Sequence, residues 1–480
     1  MRDLHCTYLQ PDATSQALGP HVVRIDGERI HSVAPATPPS RRLLALPALT
    51  NAHDHGRAVS TLSYGGGGKP LETWISYLAL LPSIDPYLVS AVSFARSALG
   101  GAGVVMDHYT RLQGLTDLPT EVAEVARAAR GVGVRVGFAL AMRNRNPLVY
   151  GPSEPILAAL PAAAREEVER RYLKPPLPVK EQIALVDAVA AKAANPMFDV
   201  QYGPMAVQWC THELLEAIAD ASQRTGRRVH MHLLETSTQR AWLDANYPDG
   251  VVKFLDAIGL LSPRLTLAHC VWARSDELEL LAARGVTISV NTSSNLHLRS
   301  GIAPLKEMVS RGCRLALGID ALSLDEDEDA LREMRLAHLL HQGIAFTTDV
   351  DRATLLRMAF DNGRFSVTNK DDGGAIAPGM PADMLVLDWD AVDTDRLRPD
   401  LDPQDLLFAR TTMRHIDELI VAGRTVVKDG KVVGVDYPAL REEMLARLRT
   451  DLGKSAALMA ALPELERVVS THYRSLPPCC

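Results

Sequence analysis

The stretch LPALTNAHDHGRAV, residues 46–59, ends an apolar run in two histidines two positions apart, His53 and His55. On a β-strand, residues two apart lie on the same face, so both imidazoles would point to one place. Two converging imidazoles suit a metal ion. They also arise by chance in a chain with 15 histidines. The rest of the sequence must decide between these two explanations.

The composition is that of an ordinary globular protein. The chain has 480 residues, of which 47% are hydrophobic and 23% charged, and its net charge is −7. We expect no nucleic-acid partner because there is no basic patch, and no membrane span because no uncharged apolar run reaches about 18 residues. The six cysteines form no C-x-x-C pair and no disulfide framework, and no signal peptide is evident. These features predict a cytoplasmic location.

Between about residues 49 and 370, short apolar runs alternate with patterns of helical spacing such as DELELLAARG. Strands that alternate with helices indicate parallel βαβ units. Counting LPALTNAHDH as the first strand gives eight, which predicts an α/β fold, a (β/α)8 TIM barrel. The other runs are GVVMDHY, VRVGFALAM, FDVQYGP, RVHMHLLE, RLTLAHCVW, VTISVNTS and RLALGIDAL.

The sequence at both ends of the chain has the pattern of short strands joined by turns. The sequence predicts that residues 1–48 and 372–436 together form a small β-sandwich domain, interrupted by the catalytic barrel at 49–371. Residues 437–480 read as a helical tail packed outside the barrel, at a possible subunit contact, and they end in a loose PPCC. We expect a homodimer or a higher homo-oligomer.

Polar side chains stand at the ends of the predicted barrel strands, where such barrels carry their chemistry. Burying each of them unpaired would cost roughly 1–3 kcal/mol, and a metal would satisfy several at once. Three imidazoles and a carboxylate, with a water, would make a plausible hydrolytic zinc site. The residues at strand ends are His53, His55, His230, His232, Glu235, His269 and Asp320.

With these motifs in order, the sequence resembles the amidohydrolase superfamily, and within it the cytosine deaminase and triazine hydrolase (TRZ/ATZ) branch. LPALTNAHDH is similar to the family's LPGLVNAHTH, HMHLLET to its His-x-His-x-x-Glu strand, and NTSSNLHLRSGIAPL to its NPTSNLKLGSGIAPV. LAHC, GID and the closing GGAIAPGMPADMLVLD also match. The resemblance covers nearly the whole chain.

The resemblance implies a role for each strand-end residue. His53, His55, His232 and Asp320 would be the metal ligands, and His269 would hold the attacking water or the developing oxyanion. Glu235 would be the proton shuttle. The fourth strand carries no lysine, which two-metal relatives place there, so one divalent metal is expected. Zinc is the first choice, with iron or manganese as alternatives.

The implied reaction is the hydrolytic deamination of an N-heterocycle by metal-activated hydroxide, with Asp320 and Glu235 moving the protons. A carboxyl group at position 235 favours a leaving group that must be protonated. Two alternatives stay open at this point. The same scaffold could hydrolyse an amide, an N-alkylamine or a halide, or the chain could be a non-catalytic relative, which would be expected to have lost ligands.

Five further residues are candidates to contact a small heterocyclic substrate. Each has an ordinary alternative: packing for the tryptophan, a solvent-facing position for the loop glutamine, and a surface position for the arginine. In the fourth-strand loop GPMAVQWC, Met205 replaces the substrate-binding histidine of adenosine-type deaminases. The glycines at 65–68 predict a flexible lid, and the acidic run at 325–329 a solvated helix start. The five candidates are Trp74, His108, Arg143, Gln208 and His297.

Overall fold

The protein is described here by a computed structural model that covers residues 1–398 and 400–476. The strands are β1 (Arg2–Cys6), β2 (Tyr8–Leu9), β3 (His21–Asp26), β4 (Arg29–Pro35), β5 (Leu43–Pro47), β6 (Leu49–Asn51), β7 (Ala102–Tyr109), β8 (Arg135–Met142), β9 (Phe198–Pro204), β10 (Val229–Leu233), β11 (Leu265–His269), β12 (Thr287–Val290), β13 (Arg314–Leu317), β14 (Met384–Asp388), β15 (Ile416–Val421), β16 (Arg424–Lys428) and β17 (Lys431–Val432).

The helices lie mostly between the strands of the middle region and at the C-terminal end. They are α1 (Leu71–Tyr77), α2 (Pro86–Leu99), α3 (Leu118–Val132), α4 (Glu154–Ala158), α5 (Ala162–Tyr172), α6 (Val179–Ala193), α7 (His212–Thr225), α8 (Ser237–Asn246), α9 (Val251–Ala257), α10 (Ser275–Ala283), α11 (Thr292–His297), α12 (Leu305–Ser310), α13 (Leu322–Asp325), α14 (Ala330–His341), α15 (Arg352–Ala359), α16 (Asp361–Thr368), α17 (Trp389–Val392), α18 (Pro403–Arg410), α19 (Tyr437–Asp451) and α20 (Ala456–Arg474).

Eight parallel strands, β6 to β13, form one sheet in chain order. The N–H of Ala52 donates to the carbonyl of Leu317 at 2.8 Å, and that of Asp320 to the carbonyl of His53 at 2.8 Å, which joins the last strand to the first. Helices cover the outside, so a strand such as β7 is buried along its whole length. The predicted (β/α)8 barrel is confirmed.

Local sequence signals set the helix ends around the barrel. Asp117 caps α3 by accepting from the N–H of Thr120, and Gly133 ends that helix with a φ of 99°. Thr211 caps α7 in the same way. Short polar side chains satisfy the first free N–H groups of a helix, and glycine takes the left-handed conformation at its end without strain. Capping residues at the helix ends therefore support the barrel repeat in addition to the apolar pattern.

Strands from both ends of the chain share a second sheet, with the order β17, β16, β15, β14, β5, β2. A three-stranded sheet of β1, β3 and β4 packs against it, and the two share a core that includes Val23, Ile30, Met384 and Ile420. This confirms the predicted small β-sandwich built from both ends. The exact boundaries predicted for the two parts stay a prediction.

The apolar run that opens the barrel serves both sheets. β5 ends at Pro47 in the sandwich, and β6 begins at Leu49 in the barrel. Asp383 fixes this junction: its carboxylate pairs with Arg135 at 2.8 Å and with Arg364 at 2.5 Å, and its carbonyl accepts from the N–H of Ala48. Burial would raise the pKa of the Asp383 carboxyl, but the charges of the two arginines outweigh it and the pKa is lowered.

The two tail helices pack on the barrel and its loops. In α19, Met444 and Leu448 contact the outer face of α2. α20 packs on α1 and α5. Tyr473 at its end accepts a hydrogen bond from the N–H of Tyr150 at 2.9 Å. The PPCC end, expected to be loose, lies outside the described residues.

The acidic run at 325–329 differs in part from its prediction. Asp329 does begin α14, accepting from the N–H of Arg332. Asp325 and Glu328, however, are 4% and 0% exposed, so the run is not solvated. The Glu328 carboxylate instead accepts from the hydroxyl of Ser97 at 2.7 Å and turns inward. No helix among the described residues has the length and apolarity needed to cross a membrane.

Candidate metal centre and active site

The strand-end residues meet at the carboxyl end of the barrel because all eight strands run in the same direction. His269 and Asp320 adopt positive φ angles of 77° and 70°, which non-glycine residues rarely take. Such backbone strain persists where the surrounding structure holds it, often at functional sites. The residues that come together there are His53, His55, His232, Glu235, His269 and Asp320.

Four of these side chains form a buried cluster. Asp320 Oδ1 lies 3.3 Å from His53 Nε2 and 3.1 Å from His55 Nε2. His55 Nε2 lies 3.3 Å from His232 Nε2. The hydroxyl of Ser294 donates to Asp320 Oδ2 at 2.6 Å, which leaves Oδ1 turned toward the histidines. Four potential ligand atoms thus face one small space.

The outer ring nitrogens fix the orientation and tautomer of the histidines. Nδ1 of His55 donates to the carbonyl of His108 at 2.7 Å, and Nδ1 of His232 donates to the carbonyl of Met205 at 2.6 Å. His53 Nδ1 lies 2.8 Å from His230 Nε2. Because a carbonyl only accepts, the proton of His55 and of His232 sits on Nδ1 and the lone pair of Nε2 faces inward. Metal-ligating histidines are held in this way.

This donor set fits a divalent cation. Two Nε2 lone pairs face each other at 3.3 Å with no proton left to share between them. His53 Nε2 and Asp320 Oδ1 are buried without a hydrogen-bond partner among the described residues. Burial lowers the pKa of His55 and holds that of His232 well below its usual range, so both rings are neutral and ready to ligate. Three imidazoles with one carboxylate suit zinc, and also iron or manganese.

Two more polar side chains lie beside the cluster. His269 Nε2 is 3.9 Å from Asp320 Oδ2 and 3.7 Å from Glu235 Oε2, while its Nδ1 donates to the side-chain oxygen of Asn295 at 2.9 Å. Burial raises the pKa of Glu235 well above its usual range, and the negative charges of Asp320 and Glu72 raise it further. These effects favour the protonated form of Glu235, which suits a proton donor.

A cavity of about 250 Å³ opens over the cluster. Of the five candidate substrate contacts, Trp74 and Arg143 line this cavity. Trp74 is 3% exposed and donates from its indole N–H to the hydroxyl of Thr61 at 2.9 Å. Met205 and Trp209 of the fourth-strand loop also line it.

The structure does not bring the other three candidates to the cavity wall. His108 is buried behind His55, with Nε2 3.1 Å from the carbonyl of Gly203, and its own carbonyl orients His55. Gln208 is 1% exposed, so the solvent-facing alternative is wrong, yet its side chain does not line the cavity. His297 is half-buried at the end of α11 and does not line the cavity, although the next residue, Leu298, does.

The glycines expected to form a lid connect a short helical turn to α1. The carbonyl of Gly68 accepts from Arg299 at 2.7 Å, and the neighbouring Lys69 pairs with Glu466 of the tail at 2.9 Å. These contacts tie the segment to the barrel loop and to α20. The lid role stays a prediction.

Sequence reasoning missed several cavity residues. Glu72 and Arg57 stand within two positions of residues that were singled out, so their proximity was a usable signal. The signal for Arg111 was weaker, since it follows the second-strand motif by two residues. The missed residues that line the cavity are Arg57, Glu72, Arg111, Tyr150, Arg171, Tyr172 and Tyr473.

Comparison with known proteins gives a consistent picture. A model of the amidohydrolase family matches residues 44–433. The chain is 32% identical over 252 residues to a 5'-deoxyadenosine deaminase of Methanosarcina barkeri, a match that spans 52% of this chain and only 57% of that relative. It is 26% identical to a 5-methylthioadenosine/S-adenosylhomocysteine deaminase of Moorella thermoacetica over 90% of this chain and 95% of the relative.

Among solved structures, the atrazine chlorohydrolase of Arthrobacter aurescens complexed with zinc superposes with a TM-score of 0.77 at 22% identity, covering 93% of this chain and 100% of the other. An adenosine deaminase of Xanthomonas campestris with bound zinc gives a TM-score of 0.74 at 22% identity, with 93% and 98% covered. At these identities the likeness concerns the fold.

Proposed function

The chain belongs to the amidohydrolase family, and from this premise we propose that it is a metal-dependent aminohydrolase that removes an exocyclic amino group from an N-heterocycle. One observation carries the proposal. A buried carboxyl group, Glu235, whose pKa burial raises, stands beside a cluster of inward-facing imidazoles and one carboxylate. A hydrolase whose leaving group is an amine needs such a proton donor.

The metal would be held by His53, His55, His232 and Asp320, with His269 beside it. We propose one divalent metal per chain, zinc first. When bound, such a metal supplies a water that loses its proton near neutral pH and polarises the atom under attack.

The chain's own residues then manage the protons. Asp320 Oδ1 faces the cluster and accepts a proton from the attacking water, and Glu235 gives its proton to the ring nitrogen next to the carbon under attack. His269, whose Nδ1–H is held by Asn295, turns the lone pair of Nε2 toward the cluster, where it can accept a hydrogen bond from the attacking water. The C–O bond forms, Glu235 takes the second proton from the added hydroxyl and passes it to the amino group, and the C–N bond breaks. The proton held by Asp320 then restores Glu235, so that one water and one C–NH2 become C=O and ammonia.

Curated relatives named as deaminases of 5'-deoxyadenosine and of 5-methylthioadenosine or S-adenosylhomocysteine support this class of reaction. The substrate is a small heterocycle that enters the cavity of about 250 Å³. Met205 at the cavity wall, where adenosine-type deaminases have a histidine, favours a ring other than adenosine's.

We test the proposal with metal-loaded protein and the chelated apoprotein, incubated with pterins, purines, pyrimidines and amino- or chlorotriazines. The measurements are ammonia and chloride release. Ammonia release from an amine-bearing ring, only in the metal-loaded protein, is the expected result. Chloride or alkylamine release with no ammonia from any ring would replace the proposal by the triazine-hydrolase alternative.

Two sequence-based expectations are kept as proposals. The four cysteines among the described residues are unpaired, which supports a reducing, cytoplasmic location. A homodimer or higher assembly is tested by light scattering on an exclusion column, and a monomer at micromolar concentration would contradict it.

A further inference from the structure

Arginines are concentrated in the cavity wall over the metal cluster. Arg57, Arg111, Arg143 and Arg171 all line the cavity. Among the described residues, none of the four forms an ion pair with a carboxylate. Arg143 is exposed, whereas the other three arginines are half-buried. These three form the arginine cluster: Arg57, Arg111 and Arg171.

Arg57 has hydrogen-bond donors that nothing uses. Its Nη2 donates to the hydroxyl of Thr110 at 2.9 Å, while Nε and Nη1 are buried without a partner among the described residues. The guanidinium lies 5.4 Å from the ring centre of Trp74, which also lines the cavity. Leaving buried charged donors unpaired is costly, and no ion pair offsets the charge of Arg57, so this charge adds to the attraction of the cavity wall for an anion.

Arg111 and Arg171 are held by carbonyl groups that orient them without cancelling their charge. Arg111 donates to the carbonyls of Leu81 at 2.5 Å and Pro82 at 2.8 Å. Arg171 donates to the carbonyl of Ala79 at 2.7 Å. The three acceptor carbonyls belong to one short stretch of chain after α1. The same segment therefore positions two of the three guanidinium groups.

The three positive charges act on one another. Burial lowers the pKa of Arg111, and the charges of Arg57 and Arg171 lower it further. Burial raises the pKa of Tyr64 to about 12 against the opposing charges of Arg57 and Arg111, and the Tyr64 hydroxyl is buried without a partner among the described residues. Arg57 and Tyr64 thus leave donors unused beside the cavity, although the carboxyl oxygens of Asp107 nearby also lack a partner among the described residues.

The acidic residues of the cavity do not balance these charges. Burial raises the pKa of Glu72, whose carboxyl accepts from the hydroxyl of Thr236 at 2.6 Å, and it raises the pKa of Glu235 as well. Asp320 is turned toward the histidines. A metal would add two further positive charges. Asp54 and Asp107 also act on Arg57, but neither lines the cavity. The cavity wall therefore presents more guanidinium groups than carboxylates turned toward it, and the low dielectric strengthens their attraction for an anion.

We propose that the substrate is an N-heterocycle carrying an anionic oxygen substituent, a carboxylate, sulfonate or phosphonate, and that Arg57, Arg111 and Arg171 bind this substituent while the amine-bearing carbon lies at Glu235. The proposal rests on the proposed aminohydrolase function. Guanidinium groups bind oxyanions through directed, charge-assisted hydrogen bonds. This subsite would set the orientation of the ring and exclude neutral rings that the metal and Glu235 alone would accept.

The test compares pairs of ligands that differ only in charge. Zinc-loaded protein is titrated in a calorimeter with pterin-6-carboxylate against pterin-6-carboxamide and with cytosine-5-carboxylate against cytosine-5-carboxamide, and the sulfonate and phosphonate analogues identify which oxyanion binds best. We expect the anion to bind at least about tenfold tighter than its amide. In Arg171→Gln and in Arg111→Gln the difference should fall to within about twofold.

Arg170→Gln is the matched control. Arg170 precedes Arg171 on α5, its side chain is 60% exposed, and it pairs with Glu167 at 2.6 Å. This variant makes the same change to the helix and should keep the full preference for the anion. The melting temperature of each variant is measured first. If one cluster variant does not fold, the other carries the comparison.

Equal binding of anion and amide by the wild-type protein, no binding by any anionic probe, or an undiminished preference in both cluster variants would overturn the proposal. Ammonia release is measured in the same samples. A preference for anions without ammonia would count against the aminohydrolase and leave the subsite standing. Equally efficient ammonia release from neutral and anionic rings would support the aminohydrolase and count against the subsite.

Discussion

Replacing Glu235 with glutamine should stop turnover and leave the metal in place. The side chain is buried, and its oxygen lies 3.7 Å from His269 Nε2 and outside the set of facing ligand atoms. Because burial favours the neutral carboxyl group, a neutral amide of the same shape is a close replacement. The N–H of residue 235, which donates to Gln239 at 2.8 Å, is unaffected. We therefore expect no large loss of stability.

The expected kinetic loss follows from the role of the proton. General acid–base catalysis by one side chain contributes roughly 10²–10⁴-fold, equivalent to about 2.7–5.5 kcal/mol of barrier. The kcat for ammonia release in Glu235→Gln should fall by at least about 10²-fold. The metal content, measured by elemental analysis, should match the wild type. Glu216→Gln, on an exposed position of α7, is the control and should behave as the wild type.

The result that would refute the reasoning is retained activity. If Glu235→Gln released ammonia within threefold of the wild-type rate, the group would not be the proton donor. A parallel loss of metal and activity would mean instead that Glu235 helps to hold the metal, and the ligand set would need revision.

Three further predictions concern the expected metal ligand Asp320, Asn295 beside His269, and Asp383 at the junction of the sandwich and the barrel. Asp320→Asn should bind less than one metal per chain and lose activity, as measured by elemental analysis and ammonia release. Asn295→Ala should lower kcat roughly 10–100-fold with metal content unchanged, because it frees the ring of His269. Asp383→Asn should lower the free energy of unfolding by about 3 kcal/mol in urea titrations, since it removes the carboxylate that two buried arginines share, whereas the exposed Asp400→Asn should not. As the pKa of Asp383 is lowered in the folded state, its contribution is complete above an unfolded value of ~3.9 and should disappear as the pH falls below it.

The barrel and its polar strand ends were predictable because both rest on local patterns. Apolar runs repeat eight times, capping side chains begin several of the helices between them, and parallel strands bring their ends to one edge. The convergence of His53, His55, His232 and Asp320 follows directly from this topology. Family resemblance added the separate role of Glu235, which strand geometry alone does not assign.

Other features depend on contacts between segments far apart in the sequence. The burial of Glu328 requires Ser97, which is 231 residues away, so the acidic run looked solvated. Tyr473 reaches the cavity only because α20 packs across the loops. The carbonyls that orient Arg111 and Arg171 lie in a loop with no motif. Such tertiary contacts override local patterns and leave no periodic signal.

The proposal that one metal per chain is required for activity is tested most directly by stoichiometric reconstitution. Chelated apoprotein is titrated with zinc while bound metal and the rate of ammonia release from a substrate found in the screen are measured together. Both should rise in proportion and level off at one zinc per chain. Activity in the metal-free protein, or activity that appears only with the second equivalent of zinc, would contradict it.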